Sequence, residues 1–284
     1  MLRTMVALYR DGHEPTRRAD RQASVPLIWR TMLEIDRAVV ASVGKLTVTG
    51  SVPHELRNKP LVMAANHIGV FDALVLMKAC YSIGIAPRFM LAGGLLDTPV
   101  LGWALRESGH LRVERGKATV LESFANAVEA IKHADAPLLV YPEGRITHDP
   151  GMWPERGKTG VARIALAANA PVIPISQWGA HEAAYWGTET VTGWNDVKPV
   201  LTSFLRALRQ RPSFKVHFGD PVDLSDLSAA KPGDAVRAHK RIMQAITDNL
   251  VALRPDEPDL PKFHDPTRPT DTVSPWRDRW TGTP

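Results

Sequence analysis

The chain has one cysteine in 284 residues, Cys80. A single thiol excludes an internal disulfide framework and a cysteine-cluster metal centre. It closes an apolar helical run, where a core role is the ordinary one and a nucleophile is a poor expectation. Long apolar runs are also missing. Nothing approaches the roughly 20 apolar residues that a bilayer-crossing helix needs. The opening residues, Met1 to Tyr9, are apolar but run straight into Arg10-Asp11 and then Arg17-Arg18-Ala19-Asp20-Arg21, unlike a secretory leader. The expected location is therefore the cytoplasm or the cytoplasmic side of a membrane. The ten histidines show no paired metal spacing, with no H-E-x-x-H and no cysteine partner, so no metal is expected. No internal repeat is present.

What is there is ordinary for a folded, soluble or peripheral protein: 44% apolar and 23% charged residues. The length suits one large α/β domain, or one domain with an extra lobe. A net charge of +5 and a pI near 9.4 favour anionic partners, whether phosphate groups, an acidic membrane face or nucleic acid. No recognisable nucleic-acid motif accompanies that charge, so nucleic acid is not expected.

Three regions follow from the pattern. Residues 1–44 form a charged arm and then an amphipathic helix. Ser24 and Pro26 suit its start, and Leu27, Ile28, Met32, Ile35, Val39, Val40 and Val43 recur at helical spacing among Arg30, Glu34 and Arg37. This helix suits either packing on the main domain or a membrane surface with Trp29 near the interface. Residues 45–254 alternate short strands with helices. Strands are expected at 46–49, 61–65, 88–91, 111–113, 138–141, 172–175 and 214–218; helices at 72–82, 98–107, 117–133, 158–169 and 235–252. Such alternation gives an α/β fold with a sheet covered by helices. Residues 177–200, with Trp178, Trp186 and Trp194, show no period and read as an insertion over the sheet. Residues 255–284 hold seven prolines and many charges and read as an extended tail, with Trp276 and Trp280 suited to a membrane or to the domain surface.

The stretch most suggestive of chemistry is Pro60-Leu-Val-Met-Ala-Ala-Asn66-His67-Ile68-Gly69-Val70-Phe71-Asp72. A buried strand stops at a polar corner, and five residues after His67 a carboxylate opens a helix. Two readings stand on these residues. Asp72 is a good helix cap, and His67 a satisfied loop histidine. Alternatively the turn folds the carboxylate onto the imidazole, holding one tautomer and making a better base for removing a proton from an alcohol.

Three further stretches follow in order. Gly109-His110-Leu111-Arg112-Val113-Glu114-Arg115-Gly116 is a short strand ending in Arg115, a solvated charge run or part of a phosphate clamp with Arg145 and Lys158. Leu138-Leu-Val-Tyr-Pro142-Glu143-Gly144-Arg145 is another strand ending in a polar turn, on the edge where parallel strands present ligand sites. Ala170-Pro171-Val172-Ile173-Pro174-Ile175 is a buried strand whose prolines shape a wall. Gly157-Lys158-Thr159 is not a P-loop: five residues rather than four separate Gly151 from Gly157, and Gly151 lies well past the strand end.

Taken in order, these four stretches resemble the four blocks of the glycerolipid acyltransferases, above all the 1-acylglycerol-3-phosphate acyltransferases, over about residues 45–220. The resemblance implies a mostly parallel central sheet flanked by helices. It implies transfer of a fatty acyl group from acyl-CoA or an acyl-carrier protein to a lysophospholipid hydroxyl, at the cytoplasmic membrane surface. It implies no cofactor beyond acyl-CoA as co-substrate. By position, His67 would be the general base, Asp72 its orienting partner, and Arg115 the holder of the acceptor phosphate. Glu143 and Gly144 would shape the acceptor site, and Lys158 matches a basic position beyond the third block. One departure is visible: the common Pro-Glu-Gly-Thr-Arg-Ser is here Pro142-Glu143-Gly144-Arg145-Ile146-Thr147, with the arginine one place early. Another lysophospholipid or a glycolipid is an alternative acceptor. A non-catalytic lipid-binding protein is the alternative of a different class, and it has no need of a poised base.

Overall fold

In β2 (Val62–Ala65) all four side chains are buried, so no polar alternation marks the strand. Val62 and Ala64 pack into one core, Met63 and Ala65 into the other, as the two-residue period of a strand requires. The protein is seen in a computed structural model that describes residues 26–57, 59–113, 117–132, 136–187, 194–255, 261–269 and 271–275. The charged arm, Arg115, Trp276 and Trp280 lie outside the described residues.

Around β2 the described residues form a seven-stranded sheet in the order β1-β7-β6-β2-β5-β3-β4. The other strands are β1 (Lys45–Gly50), β3 (Arg88–Ala92), β4 (Leu111–Val113), β5 (Leu138–Val140), β6 (Val172–Trp178) and β7 (Ser213–Phe218). The pairings are parallel except β6 with β7. Each strand lies where the sequence places it, and the mostly parallel sheet is the expected one.

Helices cover both faces. On one lie α1 (Leu27–Val43), α2 (Asp72–Ser82) and α6 (Trp194–Gln210), closing a core with Met63, Ile173, Phe214 and Val216. α3 (Pro99–Glu107) packs beside α1. On the other face α4 (Lys117–Lys132), α5 (Gly160–Ala168) and α7 (Asp234–Leu253) close a second core with Val62, Ala64, Val140 and Val172.

In α1, Trp29, Leu33, Val40 and Val43 are buried at helical spacing, so this stripe packs on the domain, while Leu27 and Ile35 stay exposed. Trp29 meets the His110 ring edge-on, 4.5 Å between centroids. His110 accepts the Phe89 N–H at Nδ1 (2.9 Å), and burial with the nearby Arg88 charge pushes its pKa down to about 4. The helix ends at Gly44, where a Cβ would stand 2.4 Å from the Pro212 carbonyl. That close approach lets Lys45 N–H bond to the same carbonyl (2.9 Å) and start the β1–β7 ladder.

Within the stretch 177–200, β6 runs to Trp178, a 3-10 turn follows at Ala180–Glu182, and α6 begins at Trp194; residues 188–193 lie outside the described residues. In the described part of the tail, residues 261–269 and 271–275, the chain is irregular but packed: Asp265, Arg268 and Ser274 are buried.

Within the α1 stripe sits one buried acid. Neither Asp36 oxygen has a hydrogen-bond partner among the described residues, and burial pushes its pKa up to about 8, eased by Lys78. A raised pKa means that the fold holds this proton more tightly than the unfolded chain. Asp36 therefore costs stability progressively as pH rises from the unfolded value of 3.8 to about 8, and the cost is constant above that. Asp36→Asn removes that titration. In urea unfolding the variant should gain on the wild type by roughly 1–3 kcal/mol between about pH 5 and pH 9. A pH-independent difference would mean that Asp36 is hydrated.

Candidate active site

β2 and β5 are neighbours, yet their chains leave in opposite directions. From β2 the chain passes over β5 to β3; from β5 it crosses β2 to reach β6. Such a switch point opens a crevice at the carboxyl ends of the two strands. There the sequence places Asn66-His67 on one side and Tyr141-Pro142-Glu143-Gly144 on the other.

Asn66 extends the ladder with its side chain. Gln177 N–H donates to Asn66 Oδ1 (2.8 Å), Asn66 Nδ2 donates to the Gln177 carbonyl (3.1 Å), and Gln177 Nε2 returns a bond to the Asn66 carbonyl (2.9 Å). The residue before His67 is thereby fixed to β6.

Asp72 is the first residue of α2, behind Phe71, and makes no capping bond. Its carboxylate turns back instead. Oδ2 lies 2.8 Å from His67 Nδ1 and accepts the N–H groups of Ile68 (2.5 Å) and Gly69 (3.0 Å). The cap reading is corrected: Asp72 closes the preceding turn. Asp72 is fully buried, while the His67 side chain is 19% exposed. A carboxylate only accepts, so Nδ1 carries the ring proton and Nε2 is left with its lone pair. The His67 ring lies flat on Tyr141, 4.0 Å between centroids and 12° between planes. Burial raises the Tyr141 hydroxyl pKa, and its oxygen has no hydrogen-bond partner among the described residues.

Glu143 is buried and reaches back to His67. Oε1 accepts the His67 N–H (2.7 Å) and Oε2 the Glu155 N–H (2.9 Å). Burial pushes its pKa up to about 8 against the pull of those two N–H groups. It thus holds the histidine backbone, a role different from the acceptor-facing one expected. Gly144 has a φ of 70°, which favours glycine, and a Cβ there would lie 3.6 Å from the Lys158 side chain. Lys158 is exposed, and its N–H bonds to the Pro142 carbonyl (2.8 Å), so its charge stands beside this turn. Arg145 is held elsewhere: Nε and Nη2 fork onto the Glu155 carboxylate, each at 2.9 Å. The structure therefore gathers His67, Asp72, Glu143, Gly144 and Lys158 at the carboxyl ends of β2 and β5 and forks Arg145 onto Glu155. No group of three or more potential metal ligands occurs among the described residues.

Sequence reasoning missed one member. Arg268, from the tail, is buried and donates from Nη2 to the Ile68 carbonyl and from Nη1 to the Thr147 carbonyl. Thr147 N–H in turn bonds to the His67 carbonyl (2.8 Å). The guanidinium lies 3.7 Å from Asp265, and the charges of Asp72, Glu143 and Asp149 also act on it. It thus ties the His67 turn to the 142–147 turn and offsets buried negative charge. Ser274 seals the strap: its N–H donates to Asp149 Oδ2 (2.6 Å). Nothing in a proline-rich tail signals this, since the partner carbonyls lie more than a hundred residues away in sequence.

Comparison with known proteins matches this architecture. Residues 45–178 match the model of the Acyltransferase family. Curated relatives include the chloroplastic 1-acyl-sn-glycerol-3-phosphate acyltransferase BAT2 of Brassica napus, 27% identical over 143 residues, which are 50% of this chain and 40% of that protein. The 1-acyl-sn-glycerol-3-phosphate acyltransferase of Limnanthes douglasii is 27% identical over 137 residues, 47% of this chain and 46% of its own. The chain thus aligns with less than half the length of these relatives. The crystal structure of the 1-acyl-sn-glycerophosphate acyltransferase PlsC from Thermotoga maritima superposes with a TM-score of 0.58 at 17% identity, covering 87% of this chain and 84% of that one. That likeness shows a shared fold.

Arg268 lies beyond the matched span, so its weight must be measured. Removing one partner from a buried charge network costs about 3–5 kcal/mol. Arg268→Ala should lose that much in urea unfolding, and Arg268→Lys should recover only part, because an ammonium cannot fork between two carbonyls. A loss under about 1 kcal/mol would place the strap outside the folded core.

Proposed function

We propose that this chain, whose residues 45–178 match the model of the Acyltransferase family, is an O-acyltransferase that moves a fatty acyl group from acyl-CoA, or an acyl-carrier protein, to the free hydroxyl of 1-acylglycerol-3-phosphate, giving phosphatidate. The observation that carries this reading is the 2.8 Å contact between His67 Nδ1 and Asp72 Oδ2, which leaves Nε2 as the ring's only basic atom. The relatives' names support the substrate class. The proposed setting is the cytoplasmic face of the cell membrane, with the protein attached peripherally. No helix among the described residues is long and apolar enough to cross a membrane.

The chemistry needs no acyl-enzyme, because a thioester is already activated. His67 Nε2 accepts the hydroxyl proton as the alkoxide oxygen attacks the thioester carbonyl. The tetrahedral intermediate collapses by breaking the C–S bond, and the departing thiolate takes the proton from the imidazolium. An ester and a free thiol result. Asp72 holds the ring and balances its positive charge during the transfer. Lys158, beside Gly144, supplies positive charge for the acceptor phosphate, and Arg115 is assigned the same task from its place in the second motif.

A second acceptor reading rests on Arg145. Its fork onto Glu155 takes this cation away from a phosphate clamp. Fewer phosphate contacts suit a different lysophospholipid or a glycolipid acceptor.

An acceptor panel tests both readings: lysophosphatidate, other lysophospholipids and glycolipids, each with one labelled acyl-CoA and one labelled acyl-carrier protein, read by lipid mass spectrometry. Lysophosphatidate should be converted fastest, and no acyl transfer to any acceptor would refute the enzyme reading. General-base help is worth about 10²–10⁴-fold. His67→Ala should therefore lower turnover by at least the smaller of those factors while the protein stays folded; full activity would end this mechanism. Arg115→Ala should raise the acceptor KM more than the donor KM, and equal effects would remove Arg115 from the phosphate site.

A further inference from the structure

α6 carries an apolar stripe that the described residues leave exposed. Trp194 is 67% exposed, Leu201 49%, Leu205 55% and Leu208 38%. At the helical repeat these four side chains fall within about 60° of one another. Scattered exposed leucines are common, but a continuous stripe of this kind marks a contact surface. Lys198 and Arg209 follow one border of the stripe. Beside it an open depression of about 570 Å³ is walled by Leu205, Arg206, Arg209 and Gln210.

We propose that this face of α6 docks the protein on a bilayer containing acidic phospholipids. This docking deepens the acyltransferase reading and rests on it for the lipid nature of the substrate. An apolar stripe flanked by cations, with a tryptophan at one end, is the pattern of a helix lying in a membrane interface. α3, which like α6 packs against α1, also exposes apolar side chains, Val100 at 78% and Trp103 at 52%.

The placement suits delivery of a lipid. Phe204, on the inner side of α6, packs on Phe71 with 6.4 Å between centroids, and Phe71 immediately precedes Asp72. The docking helix is therefore one aromatic contact from the turn that holds the His67–Asp72 pair. The contact moves from the helix where the sequence suggested it: α1 has spent its stripe on the core.

Flotation of the full chain tests this, using vesicles of phosphatidylcholine alone and of phosphatidylcholine mixed equally with phosphatidylglycerol. The wild type should float with the acidic vesicles. Leu201→Glu with Leu205→Glu should weaken that binding at least about tenfold, since each leucine loses its apolar burial. Lys198→Ala with Arg209→Ala should weaken it on acidic vesicles only. A wild type that stays with the unbound protein, or leucine variants that float unchanged, would overturn the proposal. So would leucine variants that float unchanged but sediment as a smaller species than the wild type, which would make the face a self-contact. Acyl transfer to a short-chain, water-soluble lysophosphatidate separates this from the enzyme reading. The leucine variants should match the wild type there; inactivity of both would refute lysophosphatidate as the acceptor, and flotation would still judge the docking.

Discussion

One oxygen atom organises this site. Asp72 Oδ2 receives the Ile68 and Gly69 N–H groups and faces His67 Nδ1 at 2.8 Å. Hydrogen bonds to a charged acceptor are about twice as strong as neutral ones. Three such contacts compensate much of the cost of burying a carboxylate, which would otherwise be several kcal/mol. The same contacts leave the ring little freedom. Its Nδ1 edge is held by the acid, one face rests on Tyr141, and the backbone on either side is bonded to Glu143 and Thr147. A base that is to meet a hydroxyl without reorganising must be held in this way, because alignment lost at the moment of reaction is paid in rate.

The holding groups come from distant parts of the chain, and the sheet brings them together. Asn66 is tied to β6, Glu143 arrives from the end of β5, and Arg268 from the tail bonds to both the Ile68 and Thr147 carbonyls. The Ile68–Gly69 peptide is a link in this chain. Its carbonyl accepts from the Arg268 guanidinium, and its N–H donates to Asp72. Bonds in series polarise one another in a low-dielectric interior. Positive charge held in the tail is thereby felt at the acid that orients the histidine, without the two side chains meeting directly.

Much of this was legible in the sequence, for reasons particular to each element. The strands were readable because a mostly parallel sheet buries both faces, giving short apolar runs between turns such as Leu138-Leu-Val. His67 and Asp72 were readable because five residues of spacing across a strand-to-helix turn suffice to bring the two side chains together. Glu143 was readable as a site residue but its direction was not: sequence places it at a strand end without saying that it reaches back to the His67 N–H. Arg145 was misjudged in the same way, since its partner Glu155 lies in an irregular loop. Arg268 was invisible. Its bonds go to backbone carbonyls, which have no sequence signature, and its own segment has neither helical nor strand period.

The two amphipathic helices on one face of the sheet show where periodicity stops being informative. α1 and α6 are both 17 residues long, and both carry an apolar stripe. In α1 the stripe holds Trp29, Leu33, Val40 and Val43 and is fully engaged with α2, α3 and the sheet. In α6 the inner side packs through Phe204 and Ala207, while Leu201 and Leu205 remain outside. Helical spacing fixes which residues share a face, but it cannot say whether that face meets protein, water or lipid. The decision belongs to the neighbours: once α1 has taken the place against the sheet beside α2, α6 can bury only its inner side there. A helix with more apolar surface than the core can accept must keep a remainder outside. In this chain that remainder is bordered by arginine and lysine and stands one ring away from the turn that carries Asp72.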